Sequence, residues 1–344
     1  MSENAMSRII DHSSDEVLAI IGLCKNAGKT SLMNWLISES TGVKLGVMTT
    51  GRDGEEIDVA FGNPKPRVKL PEHTIFCCET AQLDALGSGI TILQKLPWES
   101  ASKAIWIVEA NHPLETEIIG PATVKVQSQC AALMQSWGAR KILIDGSIDR
   151  KSIALDPLVD ALYIVAGGSF GTGKQILAEL QRLIHLSTIP QYCTESDSPT
   201  AARMKDSKTI WHKIDGSWQD LRISSLLHTD QNVWNSILTV TNSEALYLPG
   251  ALTEAVFKRL YPWMLQNGVS LICRHPHNIK LSDSNVECLL QGISVFALNV
   301  FKIRAIALNP WSVTGNHLDV ASLRAALRQG IQQIPVIDIM ELYE

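Results

Sequence analysis

Short apolar runs recur along the chain, each closed by small or polar residues. The first starts at Val17 and gives way at 22–28 to a loop of small residues. A helical pattern opens at Gly28-Lys29-Thr30 and continues over 31–38. Further runs at 43–49, 74–78, 90–96, 104–110, 141–145 and 161–166 read as strands. Val126, Cys130, Leu133, Met134 and Trp137 fall on one face of a helix over 122–137, and another helix ends near Leu186. Residues 61–71 are rich in proline and cross without forming a helix. Residues 111–124, with Glu115, Glu117 and Gly120-Pro121, read as a loop open to a substrate or partner.

Residues 193–209 are polar and read as a linker. Beyond them, 210–218 is a hairpin pattern turning on Asp215-Gly216. Strands follow at 245–248, 269–273, 294–300, 303–308 and 336–339, with helices at 253–266, 283–291 and 320–329. Alternation of this kind predicts an α/β chain with a mostly parallel sheet. The expected organisation is a disordered tail over 1–14, a P-loop NTPase domain over 15–192, and a second, smaller α/β domain over 210–344.

The first strand–loop–helix carries candidate chemistry. Backbone N–H groups of such a loop and the positive helix end make a site for phosphate. Lys25, Asn26, Ala27, Gly28, Lys29, Thr30 and Ser31 form it, with Lys29 placed for the β/γ-phosphates and Thr30 for Mg²⁺. The spacing departs from the usual pattern. Five residues separate Gly22 from Gly28, and Leu23 stands where the first glycine belongs.

Two carboxylates supply the metal chemistry. Asp145 ends an apolar strand, as a Walker-B residue does, and Asp53 lies in the glycine- and acid-rich turn 50–58 with Glu55 and Asp58. A second loop at 168–174 has the standard glycine–lysine spacing, but Gln175 replaces the metal-binding hydroxyl, so it reads as a strand-to-helix turn. The pattern Gly167-x-Ser169-x-Gly171 would suit a hydrolase nucleophile, yet leaves Lys29 and Asp145 without a role. His275 and His277 beside Cys273 have no partner pair at metal-site spacing. No Asn-Lys-x-Asp base-reading motif occurs, which favours ATP over GTP.

Composition narrows the classes. The 344 residues are 45% hydrophobic and 19% charged, within the globular range. A net charge of −5 gives no basic footprint for nucleic acid. The seven cysteines are odd in number and lack any Cys-x-x-Cys, which favours free thiols and a cytoplasmic setting. No apolar run is long enough to span a membrane.

With these residues in view, the chain resembles the P-loop subunit of the reactivating factor for lysine 5,6-aminomutase, a coenzyme-B12 enzyme. Four segments carry the likeness: 25–30, 51–55, 144–152, and Asn309-Pro310-Trp311-Ser312 with Gly315 and Leu318-Asp319. The resemblance implies a chaperone-like ATPase using Mg²⁺. It would act with a MutS-like second subunit on an adenosylcobalamin-dependent aminomutase and help release damaged cobalamin. It implies that Lys29 and Thr30 bind phosphate and metal, with Asp53 and Asp145 around the metal and the attacking water. Residues 50–58 would be the switch. The alternatives are a metabolic ATP-dependent ligase or kinase on the same fold, and a nucleotide-binding regulatory module with little hydrolysis.

Overall fold

The computed structural model describes residues 9–10, 16–49, 52–53, 67–100, 103–121, 123–147, 158–192, 198–227, 230–310 and 319–342. The chain divides into two compact units, Met1–Leu177 with Phe301–Glu344, and Ala178–Val300.

The first unit is built on a nine-stranded sheet. Its strands are β1 (Glu16–Gly22), β2 (Leu45–Thr49), β3 (Ile75–Glu79), β4 (Ile90–Ser100), β5 (Lys103–Ala110), β6 (Lys141–Ser147), β7 (Ala161–Gly167), β8 (Ile303–Asn309) and β9 (Val336–Asp338). They lie in the order β9-β8-β7-β1-β6-β2-β3-β5-β4. The seven strands from β9 to β3 are mutually parallel. Only β5 runs against its neighbours, β3 and β4. Strands β1 and β7 are buried at every position, as central strands covered on both faces must be. Helix α1 (Lys29–Glu39) buries Leu32, Met33, Trp35, Leu36 and Ile37 in the core that also holds Leu18 and Ile20 of β1.

The connections fix where a ligand belongs. From β1 the chain crosses through α1 to β2 on one side; from β7 it returns, after the second unit, to β8 on the other. The strand order therefore reverses between β1 and β7, and the crevice beyond their carboxyl ends is the ligand position of open α/β sheets.

The amino ends of the same strands hold buried charge. Glu16 of β1 is level with Lys141 of β6, with Lys141 Nζ 3.9 Å from one carboxylate oxygen. Arg304 of β8 pairs with the other oxygen. Nearby, Tyr163 donates to the Ile9 carbonyl at 2.5 Å, and burial raises its pKa. Groups so paired lose several kcal/mol if one member is removed, because a charge is left alone in the interior (about 3–5 kcal/mol).

The second unit has a five-stranded sheet in the order Ser217–Asp220, Trp211–Ile214, Ser243–Leu248, Ser270–Cys273, Val295–Ala297. The first pair is the expected hairpin, and Asp215 and Gly216 both take positive φ (48° and 75°), the conformation such two-residue turns need. The last three strands are parallel. The buried histidines lie just past Ser270–Cys273, where His275 accepts the His277 N–H at 3.1 Å and the rings stack at 5.5 Å. They are interior groups that shape a turn.

Four expectations change. Residues 9 and 10, expected in a disordered tail over 1–14, are buried in the first core. The strands at 303–309 and 336–338 do not belong to the second domain. They extend the first sheet beyond β7, so the second unit is an insertion rather than a 210–344 carboxyl-terminal domain. Parallel strands with apolar centres look alike in any sheet, so the pattern cannot say which edge they join. The 193–209 linker contains a helix, Ser198–Asp206, held by Met204, whose side chain enters the second core and whose carbonyl accepts from Tyr247. The 111–124 loop contains the short strands Leu114–Thr116 and Ile118–Ile119, paired with Val68–Leu70 and Arg52–Asp53.

Gly120 makes the closest approach in that segment. A Cβ there would lie 1.9 Å from the Thr49 carbonyl oxygen at the end of β2. Gly120→Ala is expected to cost about 3 kcal/mol or more in urea unfolding. Gly42→Ala, at φ +76° with open space around it, is expected to cost only about 1 kcal/mol. Equal costs would mean that the segment does not pack on β2 as described.

Burial pushes His275 down to about 3, with Lys280 adding to the shift, and burial lowers His212 as well. Both are neutral when folded. Below the ordinary value of 6.5 the unfolded chain binds protons that the folded chain refuses. Stability should therefore hold above pH 6.5 and fall as pH drops toward 3, by at most about 1.4 kcal/mol per pH unit from His275. Urea titrations between pH 7.5 and 5 check this, with His275→Gln expected to flatten the dependence.

Candidate functional site

Strand β1 ends at Gly22, and the loop that follows is held down on β7. Leu23 N–H donates to the Val165 carbonyl at 2.9 Å. The Leu23 side chain is buried in the core. This explains a leucine at the position where a glycine was expected: its amide is tied to the sheet and its side chain is needed inside. Gly22 supplies the close approach instead. A Cβ there would lie 3.1 Å from Ala27 Cβ and 3.3 Å from Lys29 Cδ, so the lysine side chain folds back over the loop.

The loop then rises into α1 through two left-handed residues, Asn26 (φ 56°) and Gly28 (φ 99°). Gly28 is the N-cap of α1 and offers no side chain to its first amides. Fully buried Ala27 rests on Gly167 at the end of β7, where a Cβ would lie 2.7 Å from its Cα. The result is a tight loop wrapped on the carboxyl end of β7, leading into a helix N-terminus of the kind that suits an anion.

Lys29 and Asp145 come together there. Their Nζ and Oδ1 atoms are 3.9 Å apart, with side chains 15% and 3% exposed. Asp145 is on β6, level with Ile20 of β1 and Thr49 of β2. Thr30 and Ser31 lie half-buried in the first turn of α1, while Lys25 is exposed on the loop. Asp53 follows the end of β2 and its backbone pairs with Ile118. Glu55, Asp58, the charged run 149–152 and residues 311–318 of the fourth resemblance segment lie outside the described residues.

Cys24 occupies the same loop. Burial raises its thiol pKa, so it stays protonated at neutral pH, and it points at the Gly167 carbonyl at 3.9 Å. That is the behaviour of a packing residue rather than a reactive thiol.

The second glycine–lysine loop differs in kind. Thr172 and Gln175 form reciprocal bonds at the start of helix Gly173–Ser187. Gln175 Oε1 accepts the Thr172 N–H at 2.8 Å, and Thr172 Oγ1 accepts the Gln175 N–H at 3.3 Å. The chain's own side chains thus serve the amides that a phosphate would need. Lys174 is exposed. The loop with poorer spacing enters its helix through a glycine with no side chain to cap it, and the loop with standard spacing enters through a side-chain cap.

Set against known proteins, the chain matches no protein-family model, no curated protein and no solved structure.

The residues gathered at the carboxyl ends of β1 and β6 suit a polyphosphate with a divalent cation. The loop amides and Lys29 would take the phosphates, and the Thr30 hydroxyl and Asp145 would hold the metal. A groove of about 970 Å³ adjoins this site along α1, lined by Ser31, Asn34 and Ile37 on the helix and by Arg67, Leu70 and Leu114 opposite. Asn34 fixes its far wall, donating to the Arg67 carbonyl at 2.9 Å and accepting the Lys69 N–H at 3.0 Å. Sequence reasoning missed the groove, because its wall comes from a two-stranded ribbon 30 or more residues away in the chain. Among the described residues no cluster of three metal-ligating side chains occurs and no helix is long and apolar enough to cross a membrane.

The two loops can be told apart by substitution. Thr172→Ala is expected to lower stability by about 1 kcal/mol through loss of the cap while leaving ATP affinity unchanged. Calorimetric titration with Mg·ATP checks this, and a clear loss of affinity would move the phosphate site to the second loop.

Proposed function

We propose that the protein binds ATP with Mg²⁺ on the 22–31 loop and hydrolyses it. The observation that carries this reading is the convergence of Lys29 and Asp145, 3.9 Å apart, beside the glycine-led start of α1 at the point where the strand order reverses. In this role Lys29 neutralises the terminal phosphates and the loop amides fix their orientation. Thr30 and Asp145 hold the metal, and the resemblance adds Asp53 to its surroundings. Bound Mg·ATP would supply the phosphoanhydride whose cleavage releases the loop it orders.

We assign the hydrolysis to a cytoplasmic, chaperone-like reactivase. Its client is an adenosylcobalamin-dependent aminomutase, and its partner a MutS-like second subunit. The resemblance of four ordered segments between 25 and 319 supports this part of the reading.

The groove beside α1 favours a second reading. A cavity of about 970 Å³ sharing Ser31 with the phosphate loop has the size of a small-molecule site, as a ligase or kinase would need. In that case turnover depends on a small substrate and needs no partner protein.

Lys29→Ala is expected to weaken Mg·ATP binding at least about tenfold and to abolish phosphate release, through loss of a charge-assisted contact (about 1.5–3 kcal/mol). The assay is ATPase activity of the full chain with and without its captured partner. Stimulation by the partner supports the reactivase, stimulation by a small molecule supports the enzyme reading, and wild-type activity in Lys29→Ala contradicts the site itself.

A further inference from the structure

The loop segment Ala27-Gly28 rests on two residues that face each other across neighbouring strands. One is Gly167, the last residue of β7. The other is Asn309, the last residue of β8, in register with it. A Cβ on Gly28 would lie 2.9 Å from Asn309 Nδ2, 3.2 Å from Asn309 Cβ and 3.0 Å from Ile339 Cδ1. The Asn309 carboxamide is thus seated on the α-carbon of the residue that turns the loop into α1.

Glycine at φ +99° meets no steric penalty, but it also has the widest range of alternatives. Something outside the loop must select the conformation that aims its amides inward. Asn309 is itself well anchored. Ile339 N–H donates to the Leu308 carbonyl at 2.9 Å, and β9 continues into Asp338, whose carboxylate takes Arg324 at 2.7 Å. Because β1 lies between β6 and β7, Asp145 and Asn309 flank the loop from opposite sides of the sheet order.

We propose that Asn309 is a positioning residue of the phosphate site, holding Gly28 in its left-handed conformation from the side opposite Asp145. This rests on the phosphate-site reading of the 22–31 loop. A half-buried neutral amide suits the position: it fills the space over Gly28 without bringing negative charge toward the bound phosphates. It also gives the returning strand a function. The chain leaves the first sheet after β7 and re-enters it at β8, and the ends of both strands support the phosphate loop.

The test is Mg·ATP titration of the full chain, with melting temperature recorded for each variant. Asn309→Ala is expected to weaken ATP binding about tenfold, with turnover at saturating ATP changed much less, because the residue prepares the loop rather than touching the reacting atoms. Asn309→Asp keeps the shape and adds a charge. It is expected to bind ATP more weakly than Asn309→Ala at low salt, with the difference closing at high salt as the repulsion is screened. Should the alanine variant fail to fold, the aspartate variant alone carries the test against wild type. Wild-type affinity in both variants, or an aspartate variant no worse than alanine at any salt concentration, overturns the proposal. If the wild-type chain itself binds no ATP, the phosphate-site reading fails, and this proposal with it.

Discussion

The structure of the first unit depends on a close contact between backbones: the loop after β1 lies directly on the end of β7. Ala27 can sit over residue 167 only because that residue has no Cβ, and Gly28 can start α1 only because a positive φ is open to it. With the loop pressed down, Leu23 is drawn into the core and Lys29 is folded back over Gly22. The amides at the start of α1 then face the crevice with no side chain of the N-cap residue to take them. Amides at a helix start suit an anion.

Charge is distributed along the sheet in a way that fits this. At the amino ends of the strands, Lys141 and Arg304 both face the buried Glu16 carboxylate. At the carboxyl ends, Lys29 and Asp145 stand 3.9 Å apart at the mouth of the crevice. That separation is looser than a direct ion-pair hydrogen bond of about 2.7–2.9 Å. A pair held at that distance can open to admit a phosphate to the lysine and a cation to the carboxylate, which a tightly closed pair would resist.

The sequence made much of this legible. The apolar run from Val17, the glycine-lysine-threonine that follows it, and Asp145 at the end of its own run are local signals, and each falls where the pattern puts it. The Asp215-Gly216 turn is equally local. What escaped the sequence depends on contacts between distant segments. Residues 305–308 are as apolar as a central strand, and nothing in them names β7 as their neighbour. Gly167 stands just before the second glycine–lysine loop, and its role is to leave room for Ala27. The capping pair Thr172 and Gln175 shows why standard spacing misleads. A glutamine in place of the hydroxyl does more than remove a metal ligand; it closes the helix end.

The most direct measurement is hydrogen exchange of the backbone amides of residues 26–31, with and without Mg·ATP, alongside those of 172–176. Nucleotide should slow the first set strongly, because their N–H groups become donors to phosphate, and leave the second set unchanged. Unchanged exchange at 26–31 under saturating Mg·ATP, or protection confined to 172–176, would contradict it.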